Sequence, residues 1–130
     1  MASEDDVRTA ALSLPETSEK PSYGMPGFRV RTKGFARWHE EPGVLMLWCA
    51  DVGEKQALIA SEPETFFTTP HYDGYSSVLV RLDRIDRNAL VDLLTAAWRS
   101  RAPKRLLDEF DATAYDAEGP PTMAEPVEGR

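Results

Sequence analysis

An amphipathic helix is predicted near the end of the chain, after a series of short segments with the alternation typical of β-strands. Asp86 is a suitable N-cap for this helix. Its apolar residues recur at the i, i+3, i+4, i+7 and i+8 positions, and they are Leu90, Leu93, Leu94, Ala97 and Trp98. A stripe of this width has to be buried against another element. The sequence therefore predicts a sheet whose apolar face packs against this helix.

Three segments in the first half of the chain are predicted to form an antiparallel meander. Residues 28–33 alternate apolar and polar side chains with period two, and Gly34 is predicted to make the tight turn into a second strand at 35–39. The tripeptide Glu41-Pro42-Gly43 is a turn signal, and it leads into a third strand at 44–49. Short connections of this kind are typical of neighbouring antiparallel strands.

The remaining segments complete an α+β prediction. Residues 15–21, which contain two prolines, are predicted to be a polar connector. The other predicted elements are helices at 4–13, 51–60 and 104–110 and strands at 68–71 and 77–82. We expect a two-layer α/β sandwich of the order α-β(3)-α-β(2)-α, in which helices cover one face of a five-stranded antiparallel sheet.

Length and composition limit the organisation of the chain. Its 130 residues suit one domain, predicted at 1–111. Residues 112–130 are acidic and rich in proline and glycine, and they are expected to be a tail that cannot offset its ordering entropy. The single cysteine, Cys49, excludes an internal disulfide and is expected to be a buried, inert thiol.

Charge and hydropathy exclude several classes of protein. The net charge of −7 argues against a general binder of nucleic acids or membranes. The longest apolar run, at 44–50, is far shorter than a membrane span, and the acidic N-terminus does not resemble a secretion signal. A cytoplasmic protein is expected.

Several short words in this order of elements resemble the MmcQ/YjbR family of small bacterial proteins. They are Glu62-Pro63-Glu64, Leu79-Val80-Arg81-Leu82, Ala97-Trp98 and Ala102-Pro103-Lys104-Arg105-Leu106. The resemblance implies the α-β(3)-α-β(2)-α fold and a DNA-binding role through a double-wing arrangement. Many members carry a His-Met-Asn-Lys-like word and then a tryptophan near the fifth strand, whereas residues 72–78 of this chain contain neither lysine nor tryptophan.

Basic residues are concentrated in the predicted hairpin, and they carry the leading functional hypothesis. Arg29, Arg31 and Lys33 alternate along one strand, and Arg37 follows on the next. A basic wing with Gly34 at its tip is expected to contact the phosphates of DNA or of another polyanion. The alternative is a solvated outer face of the sheet that binds nothing.

The stretch around residues 66–75 has a different character and carries the alternative hypothesis. It is rich in aromatic residues and contains a histidine, and Phe67, His71, Tyr72 and Tyr75 are the candidate lining of a pocket for a small molecule or a peptide. His71 beside Asp73 is the best acid–base candidate, but no nucleophile accompanies it. No catalytic motif, metal site, cofactor site or obligate protein partner is predicted, and the chain is not expected to be an enzyme.

Overall fold

The protein forms one sheet of six antiparallel strands and four helices in the part of the chain that the structure, a computed structural model, describes, which is residues 1–22 and 24–118. The elements in chain order are α1 (Glu4–Leu12), β1 (Thr17–Ser22), β2 (Met25–Val30), β3 (Lys33–Trp38), β4 (Val44–Trp48), α2 (Val52–Ser61), β5 (Phe66–Phe67), β6 (Ser77–Arg81), α3 (Arg87–Arg101) and α4 (Lys104–Glu118). A short 3₁₀ turn, Leu82–Arg84, connects β6 to α3. The predicted α+β class is confirmed.

The sheet contains one strand more than the five expected, and its order is β1-β2-β3-β4-β6-β5. The extra strand is β1, which lies in the segment predicted to be a polar connector, and it pairs with β2 from Thr17↔Val30 to Ser22↔Met25. Its sequence shows no apolar alternation, and its backbone is held by pairing with β2 at the edge of the sheet. Pro21 is tolerated because an edge strand has one unpaired side.

The β2–β3 hairpin turns two residues earlier than predicted. Val30 pairs with Lys33, so Arg31 and Thr32 form the tip, and the prediction that Gly34 makes the turn is wrong. Gly34 instead lies inside β3 opposite Arg29, next to the irregularity in register that follows Phe28. Glycine in a strand often marks such a bulge.

The hairpin tip is locked to the start of β1 by an unusual pair of residues. Glu16 and Arg31 both have positive φ, 53° and 56°, a conformation that is costly for residues with a side chain. The Arg31 backbone N–H donates to the Glu16 carbonyl oxygen at 3.0 Å. Nε and Nη2 of Arg31 donate to the two carboxylate oxygens of Glu16 at 2.7 and 3.2 Å. The bidentate contact therefore holds both strained residues in place.

The helices bury their apolar stripes on one face of the sheet. The main core combines the predicted stripe of α3 with Val7 and Ala11 of α1, Leu106 of α4 and sheet residues such as Phe28. The indole Nε1 of Trp98, which is fully buried, donates to the carbonyl oxygen of Pro15 at 3.0 Å and ties α3 to the chain before β1. Asp86 caps α3 through the backbone N–H of Ala89, as expected.

Two boundaries differ from the expectation. The strand predicted at 68–71 is the two-residue β5 at Phe66–Phe67, and residues 68–76 form a loop. The last helix was expected to end at residue 110, but α4 continues to Glu118, past the predicted start of the tail. The rest of the predicted tail, residues 119–130, lies outside the described residues. None of the described helices is long and apolar enough to cross a membrane, and the cytoplasmic location stays a prediction.

Candidate ligand-binding cleft

The face of the sheet opposite the helices, called the outer face below, carries a second and smaller apolar cluster. Register places Gly27, Arg37, Met46, Leu79 and Phe67 side by side in one row across five strands. Met46 and Leu79 are buried in this cluster, whose described members lie in strands and in the loop at 68–76. Their cover is supplied instead by the loop at 68–76, because Tyr72 packs against them.

Tyr72 is the centre of the site, and it is held at both ends. Its hydroxyl oxygen accepts a hydrogen bond of 2.7 Å from Nη2 of Arg37. At its backbone, Nζ of Lys55 donates to the Tyr72 carbonyl oxygen at 2.5 Å and to that of Tyr75 at 3.0 Å. The backbone N–H of Tyr75 also donates to the Tyr72 carbonyl, at 3.0 Å, which closes a turn of the loop.

Lys55 is a buried lysine on α2, with only 3 % of its surface exposed. Burial lowers the pKa of its ammonium group, and the nearby Asp73 acts in the opposite direction. A buried charge is costly unless it is hydrogen-bonded, and here two loop carbonyls supply the partners. The hydrogen bonds of Lys55 therefore hold the loop in place over the outer face.

Both histidines of the chain lie beside Tyr72. The ring of His71 meets it edge-on at a centroid distance of 4.8 Å, and the ring of His39 lies at 6.0 Å. Nδ1 of His39 accepts the backbone N–H of Glu41 at 3.1 Å, so a neutral His39 carries its proton on Nε2. The structure thus brings together two imidazoles that are far apart in the sequence.

Between the loop and β3–β4 lies an open cleft of about 970 Å³. Its lining comprises Met25, Arg37, Trp38, His39, Glu40, Met46, Trp48, Thr69, His71, Tyr72, Tyr75, Ser76 and Ser77. Tyr75, at the mouth, is 65 % exposed, the highest value for a large aromatic residue among those described. The guanidinium of Arg101 lies over the Trp48 ring at 5.2 Å and its Nε donates to the Gly34 carbonyl, which restrains this indole.

The four cations of the predicted basic wing do not form a continuous row. Arg31 is engaged with Glu16 as described, and Arg37 reaches into the cleft towards Tyr72. Arg29 donates to the carbonyl oxygen of Pro21 at 3.3 Å, and Lys33 is exposed beside the tip. Their separation follows from the position of the turn, which places Arg31 at the tip and starts a new strand at Lys33.

Of the residues predicted for the aromatic pocket, three line the cleft and one does not. His71, Tyr72 and Tyr75 are in the lining, whereas Phe67 packs below the guanidinium of Arg81, whose Cζ lies 4.0 Å from the ring centroid. Sequence reasoning missed His39, Trp48 and Lys55 as parts of this site. The alternation of Arg37 with His39 along one strand placed both on one face, but no signal showed which loop would cover that face.

Two further features of the described residues bear on their chemistry, the arrangement of potential metal ligands and the state of the thiol. Within residues 1–22 and 24–118, no three His, Cys, Asp or Glu side chains converge to hold a metal ion. Cys49 is buried as expected, and burial raises the pKa of its thiol to about 11, so the thiolate is scarce at neutral pH.

Comparison with known proteins agrees with this fold. The chain is 37% identical over 128 residues to the uncharacterized proteins Rv2570 of Mycobacterium tuberculosis and Mb2600 of Mycobacterium bovis, and each match covers 88% of this chain and 99% of the relative. The crystal structure of Deinococcus radiodurans protein DR2400, a DUF419 domain, superposes with a TM-score of 0.64 at 22% identity, covering 75% of this chain and 77% of that one. The YjbR family model matches residues 12–100. The chain therefore belongs to the YjbR family.

Proposed function

We propose that this protein is a binding module, not an enzyme, and that it holds a small planar anion in the cleft on its outer face. The observation that carries the proposal is the cleft itself, whose volume of about 970 Å³ lies at the upper end of the range of small-molecule sites. Aromatic rings concentrated at such a cleft favour a flat ligand, because stacked rings bury large apolar area with little loss of side-chain freedom.

The polar groups of the lining favour an anion. Arg37 places a guanidinium charge at the cleft, where its Nη2 donates to the uncharged Tyr72 hydroxyl. Because Nδ1 of His39 accepts from the Glu41 amide, its Nε2 is the ring nitrogen left to donate, and His71 is exposed. Glu40 is the carboxylate among the lining residues. A ligand with one flat ring and one phosphate or carboxylate group is complementary to these rings and to the positive charge of Arg37.

The loop needs little rearrangement before binding. Tyr72 is fixed at its hydroxyl by Arg37 and at its carbonyl by Lys55. Side chains and loops that are already ordered reduce the entropic cost of association. The cleft is therefore preorganised on the side formed by the loop.

DNA binding by the hairpin is the second proposal, and its support is narrower. Lys33 is exposed and the half-buried Arg29 contacts a neutral carbonyl, so these two cations are the candidates for phosphate contacts. Arg31 is committed to Glu16. A wing of two cations predicts weak duplex binding that is reduced by Lys33→Gln.

Isothermal titration with adenosine 5′-monophosphate (AMP) tests the first proposal, because AMP combines a flat ring with a phosphate. We expect saturable binding at one site, and loss of most of the affinity in Tyr75→Ala and Arg37→Gln. The matched control is Arg105→Gln, which removes a cation from α4 whose side chain is 84% exposed. Absence of binding, or equal binding by the wild type and both cleft variants, contradicts the proposal.

A further inference from the structure

We infer that the planar anion held in the cleft is one nucleotide of a single-stranded nucleic acid, and that Lys20 and Arg29 bind the phosphates on its neighbouring units. The inference rests on the proposed function of the cleft and extends it along the outer face towards β1.

Register places Lys20 in the same row as the cleft. Lys20 pairs with Gly27, and Gly27 pairs with Arg37. Neighbouring strands lie about 4.8 Å apart, so the backbones of Lys20 and Arg37 are separated by about 10 Å. Gly27 contributes no side chain between them. The two cations therefore lie in one row of the outer face, with β2 between them.

Arg29 lies on the same face of the sheet as Gly27, two residues further along β2. Phe28 and Val30 point into the main core, so the side chain between them points outward. Its guanidinium donates to the Pro21 carbonyl oxygen beside Lys20, at 3.3 Å. Lys20, Arg29 and Arg37 thus mark out a surface, called the basic track below, that leads from the cleft to the edge of the sheet.

Several arginines away from the basic track are paired with carboxylates. On the helix side, Arg8, Arg31 and Arg99 donate to Glu19, Glu16 and Asp111 at 2.7–3.2 Å. Among the described residues, neither Lys20 nor Arg29 has a carboxylate within ion-pair distance. A cation without a carboxylate partner attracts a phosphate more strongly than one already in an ion pair, so Lys20 and Arg29 are the candidate phosphate contacts on this face.

The combination of rings and a basic track favours a strand with unpaired bases over a duplex or a free nucleotide. Proteins that bind single strands use aromatic platforms for the bases and a positive groove for the backbone. The cleft accepts one base only if that base is unstacked, which a duplex does not offer. A free nucleotide would occupy the cleft alone and would leave Lys20 and Arg29 without a role.

Fluorescence anisotropy tests the inference with a labelled single strand of about 12 nucleotides, a length within the range of single-strand site sizes. The same sequence closed into a hairpin duplex and free AMP are the comparisons. We expect the single strand to bind at least tenfold more tightly than the duplex. Its log K should fall with log salt at a slope of about −2, since three phosphate contacts contribute about −0.7 each.

Matched variants separate the basic track from the cleft. Lys20→Gln and Arg29→Gln should each weaken single-strand binding several-fold and reduce the slope by about 0.7, with AMP binding unchanged. Tyr75→Ala should weaken the binding of both AMP and the single strand, the latter by about 5-fold or more. Arg105→Gln should change neither affinity.

Two results would overturn the inference. If AMP binds but the single strand binds no more tightly, or is indifferent to both track variants, the track is not a binding surface while the cleft proposal stands. If the duplex binds as well as the single strand, the ligand class is wrong. Failure of AMP to bind at all contradicts the proposed function itself.

Discussion

Replacing Lys55 by methionine is the most informative single change, because it removes the ammonium group that binds the loop and keeps the length and bulk of the side chain. The substitution deletes two hydrogen bonds, to the carbonyls of Tyr72 and Tyr75. Hydrogen bonds from a charged donor contribute about 1.5–3 kcal/mol each, and part of this is offset because the ammonium no longer has to be desolvated. The Tyr72 carbonyl also keeps its bond from the Tyr75 backbone.

The net expectation for Lys55→Met is a loss of about 1–3 kcal/mol in the free energy of unfolding. For a domain of this size that corresponds to a decrease in Tm of about 4–12 °C. AMP should bind up to about tenfold more weakly, since the loop would have to be ordered on binding. Urea unfolding followed by circular dichroism and isothermal titration measure the two effects. Gln56→Met, an exposed neighbour on α2, is the matched control.

The pH dependence of this difference has a definite sign. Burial lowers the pKa of Lys55 below its usual 10.5, so the folded state releases this proton before the unfolded state does. The stability of the wild type relative to Lys55→Met should therefore increase as pH rises through the folded pKa towards 10.5. If Lys55→Met is as stable as the wild type and keeps its AMP affinity, the hydrogen bonds of Lys55 do not hold the loop in place and the reasoning is refuted.

Three further predictions concern residues around the sheet. Cys49 should react with a thiol reagent at pH 8 only in denaturant, because burial raises its pKa to about 11; rapid labelling of the folded protein would contradict its burial. Glu16→Gln should lower Tm at pH 7 but not at pH 3, because Arg31 lowers the pKa of Glu16 and this stabilisation is lost as pH falls through that value; an equal decrease at both pH values would argue against the ion pair. Gly27→Ala should cost about 1–3 kcal/mol through the contact with the neighbouring strand; urea unfolding measures this, and an unchanged midpoint would show that the strands can separate to accept the methyl group.

The sequence predicted those parts of the fold in which a residue pattern reflects a single environment, such as burial along one face of a helix. The stripe of α3 was recognised because Leu90, Leu94, Ala97 and Trp98 are all buried on a single face. β1 was missed because an edge strand of polar residues satisfies its backbone through β2 and does not need an apolar pattern. The hairpin tip was misplaced because Arg31 adopts a conformation usually left to glycine, and its partner Glu16 compensates from a distant position.

The site was harder to predict than the fold, because its members come from separate segments. His71, Tyr72 and Tyr75 were found as one sequence-local aromatic cluster. The approach of His39 to Tyr72 depends on how the loop folds back over the sheet. Lys55 reads as an ordinary surface residue of α2, and only the tertiary structure shows that its ammonium group is buried.

The central claim is that ligands bind on the outer face, in the cleft beneath the loop. An AMP titration followed by two-dimensional ¹⁵N amide spectra of the whole protein tests it most directly. The predicted result is a set of saturable shifts that map to the cleft, with the largest at Arg37, Met46, Tyr72 and Tyr75. Shifts confined to the hairpin tip at Arg31 and Lys33, or to the helix side, or the absence of any shift, would contradict it.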